Sequence, residues 1–234
     1  MASTTVEDYI KCLFLAEQAK NREGESKEEK SIQITMGEIS SIMNVQAGTV
    51  TSMMKTLSEA GLVEYEPRQG VSLTGCGRKL ALHVLRSHRL IELFLVKILG
   101  YDWADVHDEA ERLEHVVSER FLEKIDKLLE YPENDPHGDP IPGPDGELKN
   151  SNAISASEAA IRSFKPGTRY FISRVLRQDE LFLRTLSQEG FVPGTEIRAL
   201  TSDPARGTVS LYSQSGSALV LNDQLASSIF IEAK

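Results

Sequence analysis

The sequence predicts a mainly α-helical protein that ends in a small β-barrel. Apolar residues recur at helical spacing through most of the first 130 residues. Five of the nine prolines then fall within residues 132–146, which is typical of a linker or an ordered irregular segment. Five short β-type runs punctuated by Gly, Asp-Pro and Asn-Asp follow. These patterns predict three domains, at residues 1–73, 74–150 and 151–234.

Composition places the chain among soluble globular proteins. Hydrophobic residues make up 40% and charged residues 26% of its 234 positions. No apolar run approaches the roughly 20 residues of a membrane span, and the N-terminus lacks the apolar core of a signal peptide. The two cysteines imply no disulfide framework. We therefore expect a cytoplasmic protein with no membrane partner.

The first domain has the pattern of a winged helix-turn-helix. Residues 5–20 are predicted to form an amphipathic helix, and a charged loop without periodicity is predicted at residues 21–31. Thr35 is placed to cap a second helix, Asn44 marks a turn, and Gly61 ends a third helix. Two β-type runs then flank residues 68–70 as a hairpin, the wing.

The third helix of this pattern has the residues expected of a DNA-reading helix. Val50, Met53 and Leu57 are predicted to pack inward, which turns small polar side chains outward near the helix start. A winged helix used only for protein contacts is the alternative, and DNA binding is favoured over it. The predicted DNA-binding residues, the last of them on the wing, are Gln46, Ala47, Gly48, Thr49, Thr51, Ser52, Lys55 and Arg68.

The second domain combines a long helix with a face of metal-binding side chains. The long helix runs from Thr74 to Leu99 and has more apolar surface than one winged helix covers, which indicates a two-fold dimer. Read as a helix, residues 106–117 place His107, Glu111, Glu114 and His115 on one face, and His88 and Glu92 form a similar pair upstream. Residues 88–150 also carry the entire net charge of −9. Imidazole and carboxylate are common ligands of divalent metals. A solvated helix face is the alternative.

The third domain reads as an SH3-like barrel. Its five strands occupy about 70 residues, and one short helix, predicted at residues 179–188, interrupts them. The chain has no Ser/His/Asp set, Gly-rich phosphate loop or CxxC pair, so the sequence does not predict an enzyme.

At this point the residues resemble the diphtheria-toxin-repressor family of metal-dependent transcriptional regulators. The resemblance covers residues 4–233, except that the charged loop is longer than is usual in the family. It is carried by EDYI in the first helix, the winged helix, HRLIE, VHDEAERLEHVVSE, HGDPIPG and the terminal, FeoA-like barrel. The resemblance implies a winged helix-turn-helix domain, a helical dimerisation and metal-binding domain, and an SH3-like barrel.

The resemblance also implies two metal sites. The primary site takes Asp8, Glu111, Glu114 and His115, and the ancillary site takes His88, Glu92, His107 and an acidic residue of the barrel, for which Asp179 fits best and Glu180 second. Iron-responsive members have Met and Cys where this chain has Asp8 and Glu111, and these oxygen donors favour Mn²⁺. Lys11 stands where small manganese regulators without the barrel place a Glu, which favours two separate sites over a two-metal cluster.

The resulting functional expectation is a manganese-activated, homodimeric repressor of metal-uptake genes. It would bind palindromic double-stranded operator DNA, with Mn²⁺ as the cofactor. An iron-activated repressor using Fe²⁺ is the alternative within the same class. A di-metal hydrolase and a metal-blind regulator are alternatives from other classes.

Overall fold

A computed structural model describes residues 3–23, 32–148, 153–162 and 168–233. The chain forms two compact units. The first comprises Met1–Ser87 and Pro142–Glu147, and the second comprises His88–Ile141 and Leu148–Lys234. The remainder of the charged loop predicted at residues 21–31, from residue 24 onward, lies outside the described residues.

The first unit contains the predicted winged helix-turn-helix. Its elements are helices α1 (Thr4–Glu23), α2 (Met36–Met43) and α3 (Ala47–Glu59), strands β1 (Val63–Glu66) and β2 (Gly70–Leu73), and the first part of helix α4 (Gly75–Lys97). The two strands pair antiparallel, with Val63 opposite Leu73 and Glu66 opposite Gly70. The fold predicted for this part of the chain is therefore confirmed.

Local sequence signals fix the ends of these helices. Thr35 and Glu38 form a reciprocal capping box at the start of α2, which satisfies two backbone N–H groups that the helix leaves unpaired. Asn44 ends α2 in the left-handed conformation, with φ +52°. Gly70 opens β2 at φ +144°, where a Cβ atom would lie only 2.8 Å from the Ile34 carbonyl oxygen. Glycine is therefore required where β2 meets the segment before α2.

The inward face of α3 differs by one residue from the prediction. Val50, Met54 and Leu57 are fully buried, whereas Met53 is half-buried. Positions i, i+4 and i+7 lie on one side of a helix, so Met54 completes the buried stripe.

The helix predicted at residues 106–117 is shorter in the structure of the second unit. Helix α5 spans only His107–Leu113, and helix α6 spans Glu119–Leu128. Residues 114–117 form turns in which the N–H groups of Val116 and Val117 both donate to the Leu113 carbonyl. Glu114 and His115 therefore follow α5 instead of lying within it.

The predicted strands of the third part form a six-stranded antiparallel sheet in the order β3-β8-β4-β5-β6-β7. Its elements are β3 (Ile154–Ser155), α7 (Ala156–Arg162), β4 (Tyr170–Val175), α8 (Glu180–Glu189), β5 (Glu196–Asp203), β6 (Thr208–Ser213), β7 (Ala218–Asn222), α9 (Asp223–Ala226) and β8 (Ile229–Ala233). The sequence did not predict the two-residue β3 or the short helices α7 and α9.

One apolar cluster forms the core of this barrel. It includes Ile172, Phe191 and Val209, and it extends to Ala104 in the loop before α5. The helical segment and the barrel thus pack together within the second unit. Within the described residues, no helix is long and apolar enough to span a membrane.

Candidate metal centre and nucleic-acid interface

His88, Glu92 and His107 converge on one point of the second unit. His88 Nε2 lies 3.1 Å from Glu92 Oε1, and His107 Nδ1 lies 3.1 Å from His88 Nε2 and 3.4 Å from Glu92 Oε1. His88 and Glu92 come from successive turns of α4, whereas His107 opens α5. Three donor atoms of this kind within 4.8 Å of one another could hold a divalent cation.

A second group adjoins the first through the other ring nitrogen of His88. His88 Nδ1 lies 2.5 Å from Glu114 Oε2 and 3.6 Å from Glu111 Oε1. The second oxygen of Glu114 lies 3.2 Å from His115 Nε2. If a metal ion replaces the proton on Nε2, the hydrogen bond from Nδ1–H to this carboxylate orients the Nε2 lone pair toward the ion. Glu114 is therefore placed to orient His88 as well as to offer a ligand oxygen.

Sequence reasoning missed a third group, formed by Glu92, Asp135 and His137. His137 is 1% exposed, and its Nε2–H donates to the Trp103 carbonyl at 2.8 Å. In the neutral form of the ring, Nδ1 then carries a lone pair, and Nδ1 has no hydrogen-bond partner among the described residues. It faces Glu92 Oε2 at 3.8 Å and Asp135 Oδ1 at 3.9 Å. Three acceptors directed at one another need a proton or a cation between them. The pattern that could have identified this group is Asp-x-His, at residues 135–137 of the proline-rich segment. In the sequence, that segment served only as a motif that supported the family resemblance.

Burial and charge act in opposite directions on two of these carboxylates. Burial alone would raise the pKa of Glu92, but attraction to His88 and hydrogen bonds from His107 and His88 hold that pKa below the usual range. Burial raises the pKa of Asp135 well above its usual value, and the carboxylates of Asp139 and Glu92 raise it further against the attraction of Arg89. Concentrated negative charge at this place favours a bound cation.

The proline-rich segment docks against strand β4 of the barrel. The Val175 N–H donates to the His137 carbonyl at 2.8 Å. Asp139 forms an ion pair with Arg174 and accepts a hydrogen bond from Gln178 at 2.7 Å. The His137 ring also stacks on Trp103, with centroids 5.5 Å apart. The barrel thus holds His137 beside Glu92.

Asp179, the barrel residue predicted as an ancillary ligand, lies directly before helix α8. Its side chain caps α8 by accepting the Phe182 N–H at 3.1 Å, and it forms an ion pair with Arg177. Among the described residues, the groups able to share an ion include neither Asp179 nor Glu180. The structure therefore does not bring Asp179 to His88, Glu92 and His107. The remaining predicted ligand, Asp8, is half-buried on α1 in the first unit.

The predicted DNA-binding residues lie on the surface of the first unit. The Gln46 side chain makes no capping hydrogen bond at the start of α3, and the N-terminus of a helix attracts phosphate. Thr51 is half-buried and its hydroxyl donates to the Ala47 carbonyl at 2.9 Å. Arg68 is at the wing turn with φ +71°. The exposed members are Gln46, Ala47, Gly48, Thr49, Ser52, Lys55 and Arg68.

Comparison with known proteins explains why a winged helix-turn-helix and metal-binding groups occur in the same chain. Residues 1–71 match the family model "Iron dependent repressor, N-terminal DNA binding domain", and residues 74–143 match "Iron dependent repressor, metal binding and dimerisation domain". Residues 160–233 match the FeoA domain. The diphtheria toxin repressor of Corynebacterium diphtheriae is 32% identical over 219 residues, which cover 88% of this chain and 91% of that protein. The chain belongs to the diphtheria toxin repressor family.

Relatives of this repressor family differ in the metal that their names specify. The iron-dependent repressor IdeR of Mycobacterium leprae is 28% identical over 88% of this chain and 91% of its own length. A solved structure described as a manganese-dependent transcriptional repressor in complex with manganese is 31% identical, with a TM-score of 0.80 over 98% of this chain and all of that chain. Both iron-named and manganese-named proteins are therefore similar to this repressor.

Membership of the family decides between the classes of function that the sequence left open. The family consists of metal-dependent transcriptional repressors, and its members are not enzymes. The di-metal hydrolase and the metal-blind regulator are therefore set aside. DNA and a second copy of the chain are the partners that the matched DNA-binding and dimerisation domains indicate.

Proposed function

We propose that this repressor is activated by Mn²⁺, binds palindromic operator DNA as a homodimer, and controls genes for metal uptake. The observation that carries the choice of metal is the chemistry of the donor groups. Among the described residues of the second unit, the clustered side chains offer carboxylate oxygen and imidazole nitrogen and no sulfur. Such donors suit Mn²⁺, whereas thiolate and thioether favour softer metals.

The primary ligands in this proposal are Asp8, Glu111, Glu114 and His115. The close contacts of Glu114 with both His88 and His115 support a role for it at the centre of the metal-binding region. The ion would supply positive charge that relieves repulsion among the carboxylates. Because Asp8 lies on α1, occupancy of this site would make the position of α1 depend on the metal.

The ancillary ligands in this proposal are His88, Glu92 and His107. The convergence of His88 Nε2, Glu92 Oε1 and His107 Nδ1 supports it. The opposite oxygen of Glu92 faces the lone pair of His137, so Asp135 and His137 extend the same region with a further candidate site. All these side chains except His107 are at least half-buried, which strengthens their interaction with an ion.

Exposed apolar side chains support the homodimer. Within the helical part of the second unit, Leu99 is 56% exposed, Val116 75% and Leu128 56%. We assign these exposed apolar side chains to the surface through which the two copies would associate. A two-fold dimer would present two recognition helices about one DNA turn, roughly 34 Å, apart. That spacing requires an operator with two-fold symmetry.

Operator-binding titrations test the proposal. Binding of a palindromic promoter fragment is measured by fluorescence anisotropy with Mn²⁺, with Fe²⁺ under anaerobic conditions, and with EDTA. The wild-type chain is expected to respond to Mn²⁺ at lower free concentration than to Fe²⁺. Replacing Asp8 by Met and Glu111 by Cys should reverse that order, because sulfur donors favour the softer metals.

A control variant, Glu123→Cys, adds a thiol at an exposed position of α6 and should leave the order of metals unchanged. If the wild-type chain preferred Fe²⁺, the proposed activation by manganese would be wrong, but its function as a metal-dependent repressor would be unaffected. Equal DNA binding with Mn²⁺ and with EDTA would instead refute activation by the metal.

A further inference from the structure

Glu17 is a buried carboxylate whose two oxygens join three elements of the DNA-binding unit. It lies on α1 and is 3% exposed. Oε1 accepts the N–H of Leu73, the last residue of the wing strand β2, at 2.9 Å. Oε2 forms an ion pair with Arg78 in the first turns of α4. A buried carboxylate needs such partners to remain charged, and their removal would leave an uncompensated charge or an unpaired N–H.

The hydrogen bond to Leu73 completes the outer edge of the wing strand. On that edge Val71 exchanges two backbone hydrogen bonds with Ile34, at 2.8 and 2.9 Å. Alternate residues of an antiparallel strand direct their N–H groups to the same side, so the Leu73 N–H continues this edge. Glu17 is the acceptor for that group. The end of the wing strand is thereby fixed to a side chain of α1.

A second polar contact fixes α1 to the helix-turn-helix. The Lys20 ammonium donates to the Gln33 carbonyl at 3.0 Å and lies 2.8 Å from Glu38 Oε1. The other oxygen of Glu38 accepts the Thr35 N–H at 2.7 Å in the capping box of α2. On the Glu17 side, the Arg78 guanidinium also lies over the Phe14 ring, 5.4 Å from its centroid. Helix α1 is therefore bonded to the wing, to α4 and to the start of α2.

The position of Glu17 on α1 is opposite to that of Asp8. Nine residues separate them, which is about 13 Å along the axis and half a turn beyond two full turns. One face of α1 thus carries the ligand proposed for the primary metal site, and the other carries the polar contacts to the wing. A continuous 20-residue helix moves as one body over this distance.

We infer that Glu17 is a positioning residue that transmits the metal-dependent placement of α1 to the wing. The inference rests on the proposed function, because it requires Asp8 to respond to the metal. Glu17 binds neither metal nor DNA in this scheme. Its carboxylate makes the wing follow α1, so the wing is correctly placed for phosphate contact when α1 is held by the ion.

The test measures the coupling between metal and DNA. The coupling ratio is the operator dissociation constant in EDTA divided by that in saturating Mn²⁺, and it equals the factor by which DNA tightens metal binding. In Glu17→Gln, the remaining amide oxygen can still accept the Leu73 N–H, but the charge that holds Arg78 is gone. We expect the ratio to fall by at least about fivefold, while the Mn²⁺ affinity of the free protein stays within about twofold.

Matched variants separate transmission from a general loss of stability. Arg78→Gln removes the same ion pair from its half-exposed partner and should lower the ratio similarly, which keeps the test decisive if Glu17→Gln folds poorly. Glu189→Gln changes charge equally at an exposed position of the barrel and should leave the ratio unchanged. Hydrogen exchange should show Mn²⁺ protecting the amides of residues 70–73 in the wild type but not in Glu17→Gln.

Two outcomes would overturn the inference. One is an unchanged coupling ratio in both Glu17→Gln and Arg78→Gln. The other is an equal loss of DNA affinity with and without Mn²⁺, which would show that Glu17 only stabilises the fold. A wild-type ratio of one would refute the proposed function itself, so the two failures are distinguishable.

Discussion

Gly138 lies where the proline-rich segment contacts the barrel, and replacing it by alanine should push the two apart. Its φ is +86°, and a Cβ atom built there would lie 1.9 Å from the Ser173 carbonyl oxygen and 2.7 Å from Arg174 Cα. Both contacts are with the backbone of β4, which cannot rotate away as a side chain would. Gly138→Ala therefore requires the proline-rich segment to move away from the strand by about 1 Å or more.

The expected cost follows from two separate losses. Holding alanine in the left-handed region costs about 1–2 kcal/mol. Displacing the segment weakens the hydrogen bond from the Val175 N–H to the His137 carbonyl, which contributes about 1 kcal/mol. We expect the free energy of unfolding of the second unit to fall by about 2–3 kcal/mol, which is a decrease of roughly 4–12 °C in its thermal midpoint.

The same displacement should weaken metal binding, because His137 precedes Gly138 and its Nδ1 would move away from Glu92. Thermal unfolding monitored by circular dichroism and isothermal titration with Mn²⁺ measure the two effects. Gly143→Ala is the matched control in the same segment, since its Cβ atom would meet nothing closer than 3.6 Å. Equal stability and equal Mn²⁺ binding in the two variants would refute the docking of this segment through Gly138.

Three further predictions concern single side chains. Arg68→Ala should weaken binding to all DNA sequences alike and reduce the salt dependence by about one phosphate contact, as measured by anisotropy at several salt concentrations; a changed sequence preference with an unchanged salt slope would contradict the wing placement. Burial raises the pKa of the Cys12 thiol to about 11. Iodoacetamide at pH 8 should therefore modify the exposed Cys76 and leave Cys12 unmodified until the fold opens. Equal rates of alkylation of the two cysteines, measured by mass spectrometry, would refute this. Asp179→Asn keeps an acceptor for the cap of α8 and should leave the affinity for Mn²⁺ unchanged in calorimetry; a weaker affinity would restore Asp179 as an ancillary ligand.

Local patterns in the sequence determined most of the fold. The capping pair Thr35 and Glu38, the turn at Asn44 and the spacing of Val50 and Leu57 define the helix-turn-helix through contacts only a few residues apart. The five barrel strands were likewise predicted from runs of β-type residues between turn residues. Such signals act within one element, so they can be read without knowing what packs against it.

In the metal-binding region, the spacing of residues along the sequence predicted some contacts between side chains but not the end of helix α5. Helical periodicity paired His88 with Glu92, because residues four apart share a face of α4. The helix predicted through residue 117 instead ends at Leu113. Glu114 nevertheless keeps helical dihedral angles and reaches His88. The contact between Glu114 and His88 therefore forms although the helix ends one residue before Glu114. The reason is that the turn after α5 continues the helical course of the backbone.

Only the tertiary structure brought Asp135 and His137 to Glu92, more than 40 residues earlier in the chain. No periodic pattern relates positions in a proline-rich segment to a helix face, because the segment takes its course from what it docks against. That course is fixed by backbone contact between Gly138 and β4 and by the Trp103 carbonyl, which holds the His137 ring. The sequence by itself identified the imidazole and carboxylate side chains of the helical segment as candidate metal ligands. Long-range packing decided which donor atoms meet, because that requires elements distant in the chain to be brought together.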